Sequence, residues 1–187
     1  MMLGDEFMIY SYSELKKIYK TSYSIRKAIN EGKIYKIDNG YYSNKKYVDP
    51  MILYTKKYPK CIITLDTAFY YYDLTDVIPQ KAYLATKAHS KPIKSEKVVQ
   101  IYTNDDIFEI GKTSIEIDNQ IVNIYDKERL LIELIRKRKQ IPFDYYKEII
   151  ANYRDIVDEL DMYKIETYLP HFKREKDIGN TLLREVF

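Results

Sequence analysis

The chain has 187 residues, of which 45% are hydrophobic and 32% are charged, and its formal net charge at pH 7 is +3. This balance is typical of a folded globular protein and excludes a disordered chain, and no apolar run is long enough to span a membrane. The single cysteine, Cys61, excludes an intrachain disulfide and leaves a thiolate zinc site without partners. The first twelve residues contain no basic residue, which argues against a secretory signal, so we expect a cytoplasmic protein.

Basic residues are concentrated in the first quarter of the chain. Residues 1–47 contain nine basic and five acidic side chains, a net charge of +4, whereas the remainder has a net charge of −1. Such an asymmetry favours nucleic-acid contact by the basic part. Scattered lysines also occur on ordinary hydrated surfaces, so charge alone does not decide the function.

The first predicted helix of this segment follows Ser11 or Ser13, either of which can act as its N-cap. Its apolar positions are Leu15, Ile18 and Tyr19, at helical spacing. Residues 20–22 then form a predicted turn that also supplies the N-cap of the next helix.

The second predicted helix spans residues 23–31 and has two distinct faces. Its apolar face carries Ile25, Ala28 and Ile29. Gly32 follows as the left-handed residue that ends the helix. The opposite face carries polar side chains that point in one direction, namely Tyr23, Arg26, Lys27 and Asn30.

A β-hairpin is predicted next, with strands at residues 33–37 and 41–43 around an Asp-Asn-Gly turn. The order helix, short turn, helix, hairpin is that of a winged helix-turn-helix. We therefore predict that residues 1–47 form a small DNA-binding domain of this type. Two short helices and a hairpin also form protein-binding modules, and that alternative stays open.

In a winged helix, the second helix presents long polar side chains to base edges in the major groove. Arg26 can contact guanine through its guanidinium fork, and Asn30 can contact adenine. The helix N-terminus and the lysines around the hairpin suit phosphate groups. The predicted DNA-binding residues are therefore Ser22, Tyr23, Ser24, Arg26, Lys27, Asn30, Lys33, Lys36, Lys45 and Lys46.

Residues 48–187 are predicted to form one α+β domain, with a short, mainly antiparallel sheet followed by C-terminal helices. Residues 48–59 form a predicted linking helix, and Thr64 caps the helix after it. Strands are predicted at residues 82–85 and 98–102 and in a hairpin over residues 113–124 that turns at Asp118 and Asn119. The predicted later helices start at the caps Asp126 and Asp144 and near residue 162, the last with a bend at Pro170, and residues 178–186 follow them.

The densest basic run is Arg-Lys-Arg-Lys at residues 136–139. Its simplest interpretation is that it complements the negative end of its own helix. A second phosphate contact or a surface for a partner protein is the alternative.

No catalytic, cofactor or metal site is predicted, and we do not expect an enzyme. The five glycines are too dispersed for a phosphate-binding loop, and the two histidines lack partners at metal-ligand spacing. Glu116 and Asp118 place two carboxylates on one face of a predicted strand, as in metal-dependent nucleotidyltransferases and some nucleases. Such an enzyme using this pair is kept as an alternative, although Asp118 and Asn119 also fit a hairpin turn.

Four segments, taken in order, resemble the AbiEi family of antitoxins. The resemblance extends over nearly the whole chain. The segments are SELKKI at residues 13–18, IYKIDNGYY at 34–42, TLDTAFYYYDL at 64–74 with Ile78-Pro79 after it, and YDKERLL at 125–131.

AbiEi proteins are the antitoxins of abortive-infection AbiE systems, which are type IV toxin–antitoxin pairs used in phage defence. The resemblance implies an N-terminal winged helix that binds inverted repeats at its own promoter and represses transcription, with two copies on the DNA. It also implies a C-terminal domain that opposes an AbiEii-type nucleotidyltransferase toxin without a stable complex. A winged-helix regulator unrelated to toxin–antitoxin function is the alternative.

Overall fold

A computed structural model describes residues 7–187 and has the predicted α+β class. The chain divides into two compact units. Unit 1 contains the described residues up to Pro59 together with residues 116–121, and unit 2 contains residues 60–115 and 122–187. By this division the helix over residues 50–57, predicted to link two domains, lies in unit 1. The first segment of unit 1 therefore extends to Pro59 and includes this helix.

Unit 1 contains a three-stranded antiparallel sheet, as far as residues 7–187 show, in the order β1-β3-β2. The predicted helices and hairpin are present, and a strand that was not predicted, β1, pairs with the outer edge of β3. Three residues are too few to show an alternating pattern in the sequence. The elements are β1 (Ile9–Ser11), α1 (Tyr12–Tyr19), α2 (Ser22–Asn30), β2 (Tyr35–Asp38), β3 (Tyr41–Ser43) and α3 (Pro50–Lys57).

A small apolar core holds α1 and α2 against the sheet. Leu15 of α1 and Ile34 are fully buried, and Ile25 and Ala28 of α2 are almost so. Ile18, which was predicted to be in the apolar stripe of α1, is instead 39% exposed. The side chains of α1 that pack into this core are Tyr12, Leu15 and Tyr19, which share one face of the helix, and Ile18 lies outside that face.

Helix caps in unit 1 form where the sequence predicts them. The Ser11 hydroxyl accepts a hydrogen bond from the Glu14 N–H, and the Glu14 carboxylate accepts one from the Ser11 N–H, a capping box. The second cap is Thr21, whose hydroxyl accepts from the Ser24 N–H at 3.1 Å. Gly32 has a φ of +68°, the left-handed conformation predicted after α2.

Unit 2 is built around a five-stranded sheet of order β6-β5-β4-β8-β7, among the described residues. The tip of the β7–β8 hairpin, residues 116–121, is counted with unit 1, where Ile117 packs against Phe7, Ile9 and Ile52. The elements are β4 (Ile62–Ile63), α4 (Leu65–Tyr71), β5 (Ala82–Lys87), β6 (Val98–Thr103), α5 (Asp105–Phe108), β7 (Lys112–Ile117), β8 (Gln120–Tyr125), α6 (Lys127–Lys137), α7 (Phe143–Asp155), α8 (Met162–Tyr168) and α9 (Glu175–Glu185).

The larger sheet is mixed, whereas a mainly antiparallel sheet was predicted. β5 pairs with β6 and β4 pairs with β8 in parallel, while β4 and β5 are antiparallel. The two-residue strand β4 is too short to recognise in the sequence, yet it lies between β5 and β8. The positions of the longer strands were therefore predictable, but the strand β4 and the directions of the pairing were not.

The loop over residues 88–97 joins two neighbouring parallel strands without a helix. Parallel neighbours usually need a longer crossover that contains a helix. Gln100 of β6 organises this loop, because its side-chain oxygen accepts from the Ile93 N–H at 2.7 Å and its amide donates to the Lys91 carbonyl at 3.2 Å. The same amide donates to the Thr86 hydroxyl of β5 at 2.9 Å.

Helix α6 forms the centre of unit 2. Its predicted core side chains, Leu130, Leu131, Leu134 and Ile135, are fully buried, as is Ile132. Asp126 caps the helix as predicted, by accepting from the Arg129 N–H at 2.8 Å. None of the helices in residues 7–187 has the length and apolar character needed to cross a bilayer.

Charged side chains of α6 are also buried, which the sequence did not predict. The Arg129 guanidinium is fully buried, donates to the Glu133 carboxylate at 2.7 Å, and lies between the rings of Tyr125 and Phe172 at 4.9 and 4.2 Å from their centroids. Within the described part of the chain, its Nε and Nη1 atoms have no hydrogen-bond partner. Burial lowers the pKa of Arg129, although Glu133 opposes that shift.

The helices after Pro142 differ in detail from the prediction. The N-cap of α7 is Pro142 rather than Asp144, which lies exposed in the first turn beside Lys147. Proline has no side-chain oxygen to accept from the first N–H groups, so α7 begins without a side-chain cap. After α8, Pro170 lies in a separate 3-10 turn, so the helix ends where a bend was predicted.

Gly111 provides a test of how closely the chain packs against Arg129 at the start of α6. Its φ is +72°, and a Cβ atom there would overlap the Arg129 Cβ and lie 2.9 Å from Asp126 Oδ1. We expect Gly111→Ala to lower the free energy of unfolding of unit 2 by about 2–4 kcal/mol, because it adds overlap to backbone strain. Urea unfolding combined with amide hydrogen exchange measures this loss.

The matched control is Gly32→Ala, which has a similar φ of +68° but only an ordinary contact with the Tyr35 hydroxyl at 3.6 Å. It should cost unit 1 about 1–2 kcal/mol from strain alone. Equal losses at the two glycines would show that the contact with Arg129 does not constrain the chain.

Candidate nucleic-acid interface

The outward face of α2 is the best-formed candidate site in unit 1. Tyr23 is 77% exposed, and Arg26, Lys27 and Asn30 are also exposed. Within residues 7–187, no hydrogen bond or ion pair engages the side chain of Arg26. The structure therefore brings the four predicted side chains of this helix together on one accessible surface.

The rotation of α2 follows from its buried side. Ile25 and Ala28 are 2% and 3% exposed and pack into the apolar core, so residues on the other side of the helix point away from it. The turn before α2 is short, since α1 ends at Tyr19 and Thr21 already caps α2. Tyr12 of α1 reaches the start of α2, where its hydroxyl shares a hydrogen bond of 2.9 Å with Ser22.

The N-terminus of α2 has backbone donors that face outward from the helix. The N–H groups of Ser22 and Tyr23 belong to the first turn and have no intrahelical acceptor. The Ser24 N–H is already used by the Thr21 cap, and the Ser24 and Thr21 hydroxyls share a hydrogen bond of 2.8 Å. Of the two residues predicted to meet phosphate here, Tyr23 and Ser24, only Tyr23 has a backbone N–H without an acceptor among residues 7–187.

Glu31 partly neutralises the basic face, a feature that the sequence analysis missed. Its carboxylate lies 2.6 Å from the Lys33 ammonium and 3.8 Å from that of Lys27. The hydrogen bond from Lys33 lowers the pKa of Glu31, so the carboxylate remains charged. The i,i+4 spacing of Lys27 and Glu31 was the available signal.

The hairpin does not form a uniformly basic wing. Lys36 is exposed on β2, whereas Lys45 and Lys46 follow β3 at the end of the hairpin away from its turn. Asp38, the last residue of β2 before the turn, pairs with Lys57 of α3. The predicted lysines are therefore split between the strand and the base of the hairpin.

Two of these lysines lie over aromatic rings. The Lys45 ammonium is 5.2 Å from the centroid of Phe7, and the Lys46 ammonium is 5.6 Å from that of Tyr47. Both side chains are exposed, so these weak contacts leave their charges accessible.

Glu14 of α1 forms an ion pair with Lys56 of α3 in the same unit. Burial alone would raise its pKa, but hydrogen bonds from the Ser11 N–H and the Lys56 ammonium lower it to about 2. The Lys56 ammonium lies 2.9 Å from the carboxylate. The carboxylate is thus ionised at neutral pH, and its ion pair with Lys56 joins α1 to α3.

The carboxylate pair at Glu116 and Asp118 does not have the arrangement on a strand face that was predicted. Glu116 lies on β7, but Asp118 lies in the turn with a φ of 48°, followed by Asn119 at 61°. Both acidic residues are exposed. The part of the chain that the structure describes contains no group of three or more His, Cys, Asp or Glu side chains placed to hold a metal ion.

The comparisons with known proteins leave the family open. No protein-family model matches the sequence, and no curated protein matches it significantly.

Proposed function

We propose that the protein binds double-stranded DNA through α2 and acts as a transcriptional repressor in the cytoplasm. The observation that carries this proposal is the outward face of α2, on which Tyr23, Arg26, Lys27 and Asn30 are all exposed. The strand, two helices and hairpin of unit 1 follow the chain order of a winged helix, in which the second helix enters the major groove.

The length of the exposed face suits a groove contact. From Tyr23 to Asn30 the helix rises by about 10 Å, at 1.5 Å per residue. That distance corresponds to about three base pairs of duplex DNA. Arg26 and Asn30 are the two side chains on this face with donor groups suited to base edges.

Charge supports the assignment of DNA binding to unit 1. Residues 1–59 and 116–121 together have eleven basic and eight acidic side chains, a net charge of +3, whereas residues 60–115 and 122–187 have twenty of each. The N–H groups at the start of α2 add positive potential where a phosphate would lie. A protein-docking surface is the other candidate, since exposed Tyr and Arg side chains also anchor protein interfaces.

Substitution of Arg26 tests base recognition. We expect Arg26→Ala to weaken binding to the DNA upstream of the gene by about 1–3 kcal/mol and to relax discrimination at one base pair. Gel shifts with that DNA and with single-base variants of it measure both effects.

The control is Arg184→Ala, which removes an exposed arginine from unit 2 and should leave DNA binding unchanged. Binding of the unaltered protein should fall steeply with salt, because phosphate contacts release counterions. Absence of retardation at low salt, or equal effects of the two substitutions, would refute recognition by α2.

Glu31 provides a second test, in the opposite direction. We expect Glu31→Gln to strengthen non-specific DNA binding by about threefold to tenfold at low salt, because it frees Lys27 and Lys33 and removes a negative charge. The slope of log affinity against log salt should also become steeper, by up to about 0.9 for each lysine that gains a phosphate contact.

The matched control is Glu109→Gln, which breaks a similar exposed pair with Lys112 at 3.0 Å in unit 2. It should change neither the affinity nor the salt slope. Unchanged binding by Glu31→Gln would mean that Lys27 and Lys33 do not contact the DNA.

We further propose, from the resemblance to AbiEi proteins, that unit 2 serves as the antitoxin part. Unit 2 is a separate compact unit without a net charge, and DNA binding by α2 does not need it, so it is available for a second role. On this proposal the DNA is an inverted repeat at the protein's own promoter, and the opposed toxin is an AbiEii-type nucleotidyltransferase. A regulator without a toxin partner is the alternative.

Co-expression separates the two activities. We expect the full chain carrying Arg26→Ala to rescue growth from the toxin encoded beside it as well as the unaltered protein does, and not to co-purify with that toxin. Expression from an unrelated promoter removes the effect of autorepression. Loss of rescue together with loss of DNA binding would contradict an antitoxin role for unit 2.

A further inference from the structure

A small basic pocket lies in unit 2, between the end of α6 and the start of α9. Its volume is about 160 Å³. The run at residues 136–139 forms one side of the pocket. Lys173 and Arg174, which immediately precede α9, form the other side. The cationic lining residues are Arg136, Lys137, Arg138, Lys139, Lys173 and Arg174.

Complementing the dipole of α6 explains only part of this cluster. The Arg138 guanidinium donates to the Ile135 carbonyl at 3.5 Å, which is the expected role of a cation at a helix C-terminus. Lys173 and Arg174, however, precede α9, where the positive end of the helix disfavours cations. The helix-dipole interpretation therefore does not explain why Lys173 and Arg174 lie there.

The pocket carries more positive charge than its own carboxylates neutralise. Asp177 lies 2.7 Å from Arg174 and 3.6 Å from Arg138, and Glu133 pairs with Arg136. Glu133 also serves the buried Arg129. Two carboxylates thus face the six cations of the lining.

Three of the lysines have no partner of their own. Across residues 7–187, no carboxylate lies within 4.0 Å of the ammonium groups of Lys137, Lys139 and Lys173. Lys137 is half-buried and the other two are exposed, so all can reach a molecule in the pocket. An anion bound among them would offset their positive charge.

We propose that this basic pocket binds a ligand with two or more adjacent phosphate groups. Arginine forks bind phosphate oxygens in a bidentate manner, and lysines add point charges, so the lining matches this chemistry. The volume suits a short row of phosphates rather than a whole nucleotide. The phosphates can belong to a nucleoside triphosphate or to the backbone of a nucleic acid.

The test uses the full chain and inorganic triphosphate as the probe, titrated by calorimetry at low salt. We expect saturable binding that becomes about tenfold or more weaker in the double variant Lys137→Gln, Lys173→Gln, because charge-assisted contacts are lost. Neither lysine has a partner in the described residues, so the variant should fold normally. Triphosphate should also raise the unfolding temperature of the unaltered protein, since it binds only the folded state.

The matched control is Lys81→Gln, Lys94→Gln, which removes the same charge from exposed positions elsewhere in unit 2. It should bind triphosphate as the unaltered protein does. Absence of binding, or equal weakening by the two double variants, would overturn the proposal. Arg26→Ala should leave triphosphate binding intact, so that failure of DNA recognition and failure of this pocket are distinguishable.

The source of the phosphates is resolved by competition. If ATP displaces triphosphate with similar affinity and a short single-stranded RNA does not, the ligand is a nucleotide. If the RNA binds more tightly and loses affinity in Lys137→Gln, Lys173→Gln, the ligand is a nucleic-acid backbone. Both results support a phosphate pocket, whereas displacement by neither would contradict it.

Discussion

The burial of Ile25 and Ala28 in the small core of unit 1 determines which side of α2 faces outward. A nine-residue helix has little stability of its own, so its orientation depends on this apolar face and on the Thr21 cap. Because i, i+3 and i+4 positions share a face, burying Ile25 and Ala28 necessarily exposes Arg26 and Asn30. The outward exposure of this polar face is therefore a consequence of hydrophobic packing on the opposite side of the same helix.

Unit 2 depends on a different kind of constraint, the burial of charge around α6. Arg129 and Glu133 are buried together, and removing either one would leave the other charge uncompensated in an apolar surrounding. The rings of Tyr125 and Phe172 and the absence of a side chain at Gly111 make room for the guanidinium. This network accounts for part of the YDKERLL segment: Asp126 caps the helix and Arg129 fills the space behind it.

Carboxylates adjust the positive charge at both candidate surfaces. Glu31 holds Lys27 and Lys33 beside α2, and Asp177 holds Arg138 and Arg174 beside the basic pocket. Exposed pairs of this kind are weak, so phosphate can compete for the cations at modest cost.

The sequence by itself determined the features that depend on neighbouring residues. The caps at Ser11, Thr21 and Asp126, the two faces of α2 and the hairpin turns all arise within a few positions of the chain, and the structure contains them. Four of the ten predicted DNA-binding residues, those on the outward face of α2, could be placed together because helical spacing alone relates them.

Only the tertiary structure decided the features that join distant segments. The short strands β1 and β4, the parallel pairing of β5 with β6 and the burial of Arg129 depend on partners far away in sequence. The meeting of residues 136–139 with Lys173 and Arg174 is of the same kind. Periodicity shows which side of an element is buried, but not which element covers it, because many different partners satisfy the same apolar face.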